Sequence, residues 1–492
     1  MRLDQRACDR ARRSRDARFD GRFFIAVTTT RVYCRPICPA RAPKDEHVRY
    51  FATAAAAEAA GFRPCLRCRP EAAPGTPAWL GTSSVVSRAL RLISEGALDE
   101  QGVDALADRL GVTARHLRRL FLQHLGATPI DVALTRRVHF AKKLLDETTL
   151  AFNEIAFAAG FGSVRRFNSQ IRRTFTRTPS ELRRLARQAP NVGPERYRFR
   201  LAYRPPYDWD ATLAFLRARA TPGVELVEGS RYRRTIAVDG KHGVIDVSRH
   251  DSGTALSVDV QFPDPRALLT IVERVRRLFD LGADPAVIAD HLRLDPLLEG
   301  PLLQHPGIRT PGAWDGFELA VRAIIGQQIT VRGATTIAGR FASLWGSVVD
   351  AGAGLERLFP TPAQLVGAEL ERAGVMPARA DTIRALARRV SDGAIVLDAR
   401  ADVGVTVAAL EAVAGIGAWT AAYIAMRVLG EPDAFPGGDL IVRRMTGNLS
   451  ARALDRRSDR WRPWRAYAVM LLWQMASRGD PSSRATHLRT PA

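Results

Sequence analysis

Apolar residues recur with two different periods along the chain. From Val103 to Leu125 (VDALADRLGVTARHLRRLFLQHL) the spacing is helical and is interrupted at Gly111, and a second stretch of the same form runs from Phe152 to Phe175 with its interruption at Gly160 to Gly162. Each predicts helix, turn, helix. Beyond about residue 195 the pattern shifts to β-branched alternation, as in Tyr232 to Val238 and Gly243 to Val247, which predicts strands. From about Asp264 long amphipathic patterns return, for example Leu268 to Phe279 and Phe317 to Trp345, punctuated by Pro296, Pro301, Pro306 and Pro311. These predict a mostly helical last third. Two Pro/Gly-rich breaks, Ala72 to Pro77 and Gln188 to Pro194, separate the patterns, and Thr82 or Ser83 is placed to cap the helix after the first break. The tail from Ser477 has no periodic apolar residues and predicts disorder.

A chain of 492 residues is too long for one hydrophobic core. The expected class is therefore multidomain α+β. It comprises a small cysteine domain (1–75), an all-α double helix-turn-helix domain (80–187), a small α/β domain (195–305), an all-α domain (306–476) and a disordered tail (477–492).

Charge narrows the partner. The 73 Lys plus Arg against 51 Asp plus Glu give +22, the electrostatic footprint of a phosphate-bearing partner, with nucleic acid ahead of an acidic membrane surface. Met1 to Asp20 is rich in Arg and Asp, and no segment reaches about 18 uninterrupted apolar residues. A cytoplasmic, nucleoid-associated protein without a membrane partner is expected.

The five cysteines all fall between Cys8 and Cys68. Cys34-x3-Cys38 and Cys65-x2-Cys68 are two close pairs of the kind that wrap one zinc ion with four thiolates, and Cys8 stands outside them as an ordinary thiol. The spacing is equally compatible with a zinc ion that only staples the fold. The segments DGRFFIAVTTTRVYCRPICPAR and AAGFRPCLRCRP, within residues 15 to 70, resemble the amino-terminal domain of the Ada DNA repair proteins. That resemblance implies that Cys34 is both a zinc ligand and the nucleophile that takes a methyl group from a DNA methyl phosphotriester. Zinc keeps the sulfur deprotonated, and methylation removes one negative charge, which strengthens binding to phosphates.

On the second helix of each helix-turn-helix stand side chains that read base edges or grip phosphates: Arg115, His116, Arg118 and Arg119, then Arg165, Arg166, Asn168, Gln170, Arg172 and Arg173. A run of Arg is by itself more often a solvated face. The duplication, and the ending FGSVRRFNSQIRRTFTRTPSELRR, resemble the AraC-type transcription-factor domain over about residues 83 to 187, which implies duplex DNA and RNA polymerase as partners.

In LEAVAGIGAWTAAY a turn from Gly415 to Gly417 joins two apolar helical stretches, a form whose backbone N–H groups can bind a phosphate. With Phe435-Pro-Gly-Gly-Asp439 downstream it resembles the helix-hairpin-helix glycosylases. The segments YRPPYDWDATLAFL, FELAVRAIIGQQIT and RWRPWRAYAVMLLWQ extend the likeness to 3-methyladenine DNA glycosylase II over about residues 200 to 476. The resemblance implies Asp439 as the catalytic carboxylate and Phe215, Trp419, Tyr423 and Trp473 as the walls of a base pocket. Trp419 occupies the position where strand-cutting members carry a Schiff-base Lys, so a monofunctional enzyme is expected. The iron–sulfur cluster of some relatives is not expected, because no Cys follows Cys68.

Two departures bear on base flipping. Gln328 stands where the family's founding type places an apolar wedge against DNA, and Leu440 replaces an aromatic beside Asp439. A Pro-Cys-His-Arg methyltransferase motif is absent. The expected protein is an alkylation-damage glycosylase fused to its own methylation-responsive regulator. The rival is a transcription activator whose glycosylase half only binds DNA.

Overall fold

Alternation of buried and exposed residues builds a small sheet around the cysteines. In the computed structural model, which describes residues 4–74, 84–186, 193–352, 354–398 and 401–479, the strand Val48–Phe51 forms one edge, followed by Phe24–Val27, Val32–Cys34 and Arg63–Pro64. The first three are antiparallel, with Ile25 opposite both Cys34 and Tyr50, and the last pair is parallel. Phe24, Ala26, Tyr33, Ala57 and Phe62 pack on one side, and Phe23 and Ile25 pack against Cys8 and Ala11 of the helix Gln5–Ser14 on the other.

The two expected helix-turn-helix motifs form as Val103–Arg109 with Ala114–Leu125, and Phe152–Ala158 with Val164–Phe175. Gly111 and Gly160 take positive φ in the turns, and Thr113 and Ser163 cap the second helices through their hydroxyls. The 19-residue helix Pro129–Glu147 joins them, started by a capping box between Thr128 and Asp131. The first helix of this region begins at Ser84; Thr82 and Ser83, with most of both breaks, lie outside the described residues.

By its contacts the chain divides into two units: Met1–Pro205 with Ile236–Arg276 and Leu281–Ala283, and Pro206–Thr235 with Arg277–Asp280 and Asp284–Ala492. The first holds the elements above and the antiparallel strands Arg196–Ala202, Ala255–Gln261 and Lys241–Arg249. Tyr197, Phe199 and Leu201 are buried while the arginines between them face outward, the period of two that marks a half-buried strand. The strand Arg231–Val238 begins in the second unit, where it forms a hairpin with Glu225–Glu228. The segment 195–305 is thus shared between the two units.

The second unit is largely helical and differs from expectation at three places. The pattern Phe317 to Trp345 is two helices, Gly316–Ile325 and Val331–Trp345, because Gln328 takes φ +58° and Thr330 caps the second helix; between them the Gln327 side-chain amide donates to Gly415 O and Thr420 Oγ1, both at 3.0 Å. Pro301 lies inside the helix Pro296–Gln304 rather than ending one. The last helix, Arg465–Gly479, extends past 476; the rest of the tail lies outside the described residues.

Candidate functional site

The helix Ala418–Arg427 begins directly after the glycine turn and carries Trp419 and Tyr423 one turn apart. Their rings stack, with centroids 5.4 Å apart and planes within 6°. Trp473, from the last helix, lies 6.2 Å from Tyr423 and 6.3 Å from Phe215, the latter nearly parallel at 12°. The four aromatic residues expected to wall a base pocket are therefore brought together. Two of them, Trp419 and Trp473, reach Asp439 through their indole N–H groups.

Asp439 is 8% exposed and caps the helix Leu440–Met445. Its Oδ1 accepts from Ile441 N at 3.0 Å, Val442 N at 2.9 Å and Trp473 Nε1 at 3.1 Å, and its Oδ2 accepts from Trp419 Nε1 at 3.2 Å. Four N–H donors fix the orientation of an anion. One side chain thus both caps a helix and accepts from two indoles.

Gly415 has φ +91°, and a β-carbon there would overlap Thr382 Oγ1, which donates to Ala414 O at 2.9 Å; only glycine fits. Gly417 has open space around it and caps the following helix with its N–H groups unobstructed, as an approaching phosphate requires. Gln328 is exposed with φ +58°, and Leu440 is 74% exposed beside Asp439.

In the first unit Cys34 ends a strand, Cys38 follows in a turn whose N–H donates to Arg35 O, and Cys65 N donates to Tyr33 O at 3.0 Å. The four sulfurs of Cys34, Cys38, Cys65 and Cys68 lie within 4.8 Å of one another. Tetrahedral bonds of about 2.3 Å to zinc would set sulfurs about 3.8 Å apart, so the donor set fits one ion. The Arg35 N–H donates to Cys68 Sγ at 3.3 Å, while among the described residues no backbone amide donates to Cys34 Sγ. Cys8 is buried elsewhere, and burial raises its thiol to about 11.

Arg115, Arg118, Arg165, Arg166, Asn168 and Arg172 are all exposed on the second helices of their motifs, opposite the buried Leu117, Phe121, Phe167 and Ile171. Three groups of residues escaped the reading of the sequence. Glu58 accepts from Tyr33 Oη at 2.7 Å and from Thr135 Oγ1 at 2.8 Å, and lies 3.1 Å from His139. Arg69, beside Cys68, pairs with Asp146 at 2.5 Å, and Lys142 pairs with Asp146 at 2.6 Å. Against Phe215, Arg219 and Arg427 cluster with Arg234, Arg322, Glu225 and Glu318. Each cluster joins residues far apart in sequence, and none has a motif.

A glycine hairpin, a helix-capping carboxylate bonded by two indole N–H groups, a four-thiolate cluster and two helix-turn-helix motifs fit a DNA base-excision protein fused to a regulator. The chain belongs to the family of bifunctional transcriptional activator/DNA repair proteins. Residues 7–71 match the metal binding domain of Ada, 106–185 a helix-turn-helix domain, 198–315 the AlkA N-terminal domain and 321–459 the HhH-GPD superfamily of base excision DNA repair proteins. The chain is 42% identical to the probable bifunctional transcriptional activator/DNA repair enzyme AlkA of Mycobacterium tuberculosis, over 96% of this chain and 97% of that one. It is 34% identical to DNA-3-methyladenine glycosylase 2 of Escherichia coli, over 56% of this chain and 96% of that one. The solved 3-methyladenine DNA-glycosylase of Archaeoglobus fulgidus shares the fold, with a TM-score of 0.50 at 21% identity, covering 56% of this chain and 97% of that one. The chain thus combines a DNA glycosylase domain with Ada-type metal-binding and DNA-binding domains, and its four cysteines are placed to hold one zinc ion. Among the described residues no helix is long and apolar enough to cross a membrane.

Proposed function

We propose that residues 195–476 form a monofunctional glycosylase that releases alkylated bases of the 3-methyladenine type, and that residues 1–187 form its methylation-sensing regulator. The observation that carries the first part is the convergence of two indole N–H groups and a helix N-terminus on Asp439, inside the aromatic set. As the bond from C1′ to the base nitrogen breaks, positive charge builds on the deoxyribose. The fixed carboxylate stabilises it, the base leaves with the bonding pair, and water adds at C1′ and gives up its proton through the carboxylate to solvent. Trp419, which donates to Asp439, occupies the lyase Lys position, so the product is an abasic site.

In the regulator, Cys34 attacks the methyl carbon of a DNA methyl phosphotriester; the S–C bond forms, the C–O bond breaks and the phosphodiester anion departs. A zinc ion held by Cys34, Cys38, Cys65 and Cys68 would keep the thiolate available at neutral pH. The exposed arginines of the two helix-turn-helix motifs then hold duplex DNA, with RNA polymerase as the further partner of an activator at the nucleoid.

The deciding experiment incubates the protein with duplex DNA containing 3-methyladenine or 7-methylguanine and measures free base. Release by the wild type and loss of release in Asp439→Asn, with DNA affinity retained, is the expected result. Equal behaviour of the two proteins would overturn it and favour a glycosylase half that only binds DNA.

A further inference from the structure

The strand Arg196–Ala202 stands at one end of its sheet, with Ala255–Gln261 as its neighbour, so the backbone groups on its outer side need partners from elsewhere. The helix Pro129–Glu147, which joins the two helix-turn-helix motifs, supplies them. Lys143 Nζ donates to Arg200 O at 2.6 Å, and Arg200 N donates to the Glu147 carboxylate at 3.3 Å. Lys143 and Glu147, one turn apart, pair with each other at 2.8 Å. Lys143 is 8% exposed and its ammonium lies 5.8 Å from the ring centroid of Phe199 on the same strand. Burial lowers that ammonium below its ordinary value; Glu147 opposes the shift, and Arg69 and Arg276 add to it.

The same helix end holds the cysteine loop. Arg69 N donates to Cys65 O at 3.0 Å and so closes the loop that carries Cys65 and Cys68. From a backbone at φ +54°, the Arg69 side chain pairs with Asp146 at 2.5 Å, with Glu71 at 3.3 Å and with Glu147 at 3.8 Å. Lys142 joins the group, 2.6 Å from Asp146 and 3.7 Å from Glu71. The side chains of Glu71 and Asp146 are 2% and 3% exposed, so these ion pairs are shielded from water. A second contact runs from Arg276 of the helix Leu268–Leu278, which donates to Pro74 O at 2.5 Å. Glu147 is the shared point: one carboxylate meets Arg69 of the cysteine loop and Arg200 of the strand.

We infer that the outer edge of the strand Arg196–Ala202 is a docking surface for the metal-binding half of the chain, and that docking there and zinc binding at the four cysteines are linked. Zinc fixes the loop of Cys65 and Cys68, the loop presents Arg69 to Asp146 and Glu147, and the helix end so held presents Glu147 and Lys143 to Arg200. Linked equilibria act equally in both directions, so the factor by which docking raises zinc affinity is the factor by which zinc favours docking. The inference rests on the four cysteines holding zinc and on neither methyl transfer nor base release, so it can fail while those readings stand.

The test makes two measurements on the full-length protein. In the first, a chromophoric chelator competes for zinc. Lys143→Met, which removes the donor to Arg200 O, should weaken zinc binding by about fivefold or more, whereas Lys143→Arg, which keeps the charge and a donor, should stay within about twofold of the wild type. In the second, hydrogen exchange of the Arg200 amide is followed in the wild type with zinc and after its removal. Exchange there should quicken by about the same factor, while the amides of Ala255–Gln261, in the interior of the sheet, keep their rates. Unchanged zinc affinity in Lys143→Met, or equal losses in the Met and Arg variants, overturns the inference. An Arg200 amide indifferent to zinc, or one that quickens no more than the rest of the sheet, overturns it as well. The exchange measurement needs no variant and decides the matter if Lys143→Met does not fold.

Discussion

At Asp439 and Asp280 the same kind of side chain is placed in opposite surroundings. Asp439 receives four N–H groups, whereas Asp280 receives the Tyr467 hydroxyl at 2.8 Å and Thr310 N at 3.2 Å, and burial lifts its carboxyl from 3.8 to about 6 against the pull of Arg309. The folded state therefore holds a proton on Asp280 between about pH 4 and 6 that the unfolded state has released. The stability this group contributes falls as the pH rises through that window and is level above it. With its partial exposure allowed for, the change is about 2 kcal/mol. Asp280→Asn should remove it: the urea midpoint of the variant should gain on the wild type from pH 4 to 6 and then run parallel, and a constant difference would contradict the assignment. The helix-capping place of Asp439 was legible in the sequence because the Gly-Gly approach to it is local. Asp280 and the arginine cluster were not, because burial and long-range pairing set their chemistry.

Local chemistry also made the helix-turn-helix elements legible. Gly111 and Gly160 supply the positive φ of the turns, and Thr113 and Ser163 supply the caps, all within a few residues of the helices they delimit. The break between Ile325 and Val331 has no proline or positive-φ glycine to announce it and is made by Gln328 at φ +58°, where the Gln327 side chain reaches the hairpin. Contacts between elements were equally hidden where the cysteine domain meets the helix Pro129–Glu147. There Glu58 gathers Tyr33, Thr135 and His139, and Thr53 Oγ1 donates to Leu125 O at 3.0 Å. Removing the shared acceptor strands several part-buried polar groups at once, at a cost of about 2 to 4 kcal/mol. Glu58→Ala should lower the melting temperature of the zinc-loaded protein and speed proteolytic release of the cysteine domain. Glu58→Gln, which still accepts, should lose less, and equal losses would deny the shared-acceptor role.

Across the whole molecule the +22 charge makes DNA affinity a function of salt, and the cysteine site is the one place where proposed chemistry changes that charge. Four thiolates around one divalent ion carry a net charge of −2; a methyl group on Cys34 leaves −1. The altered charge is local, so its field reaches phosphates within about 8 Å at physiological ionic strength and fades as salt is added. Methylation should therefore tighten binding to an undamaged duplex several-fold at low salt, with the gain shrinking steadily as salt rises. Binding titrations of methylated and unmethylated protein over a salt series measure this directly. A gain that is independent of salt would point to a rearrangement of the two helix-turn-helix motifs rather than to electrostatics. Cys34→Ser separates the trigger from the response: it should take up no methyl group from a methyl phosphotriester, and its DNA affinity should be unchanged by prior exposure to that DNA. Continued uptake would assign the reaction to another cysteine and move the altered charge with it.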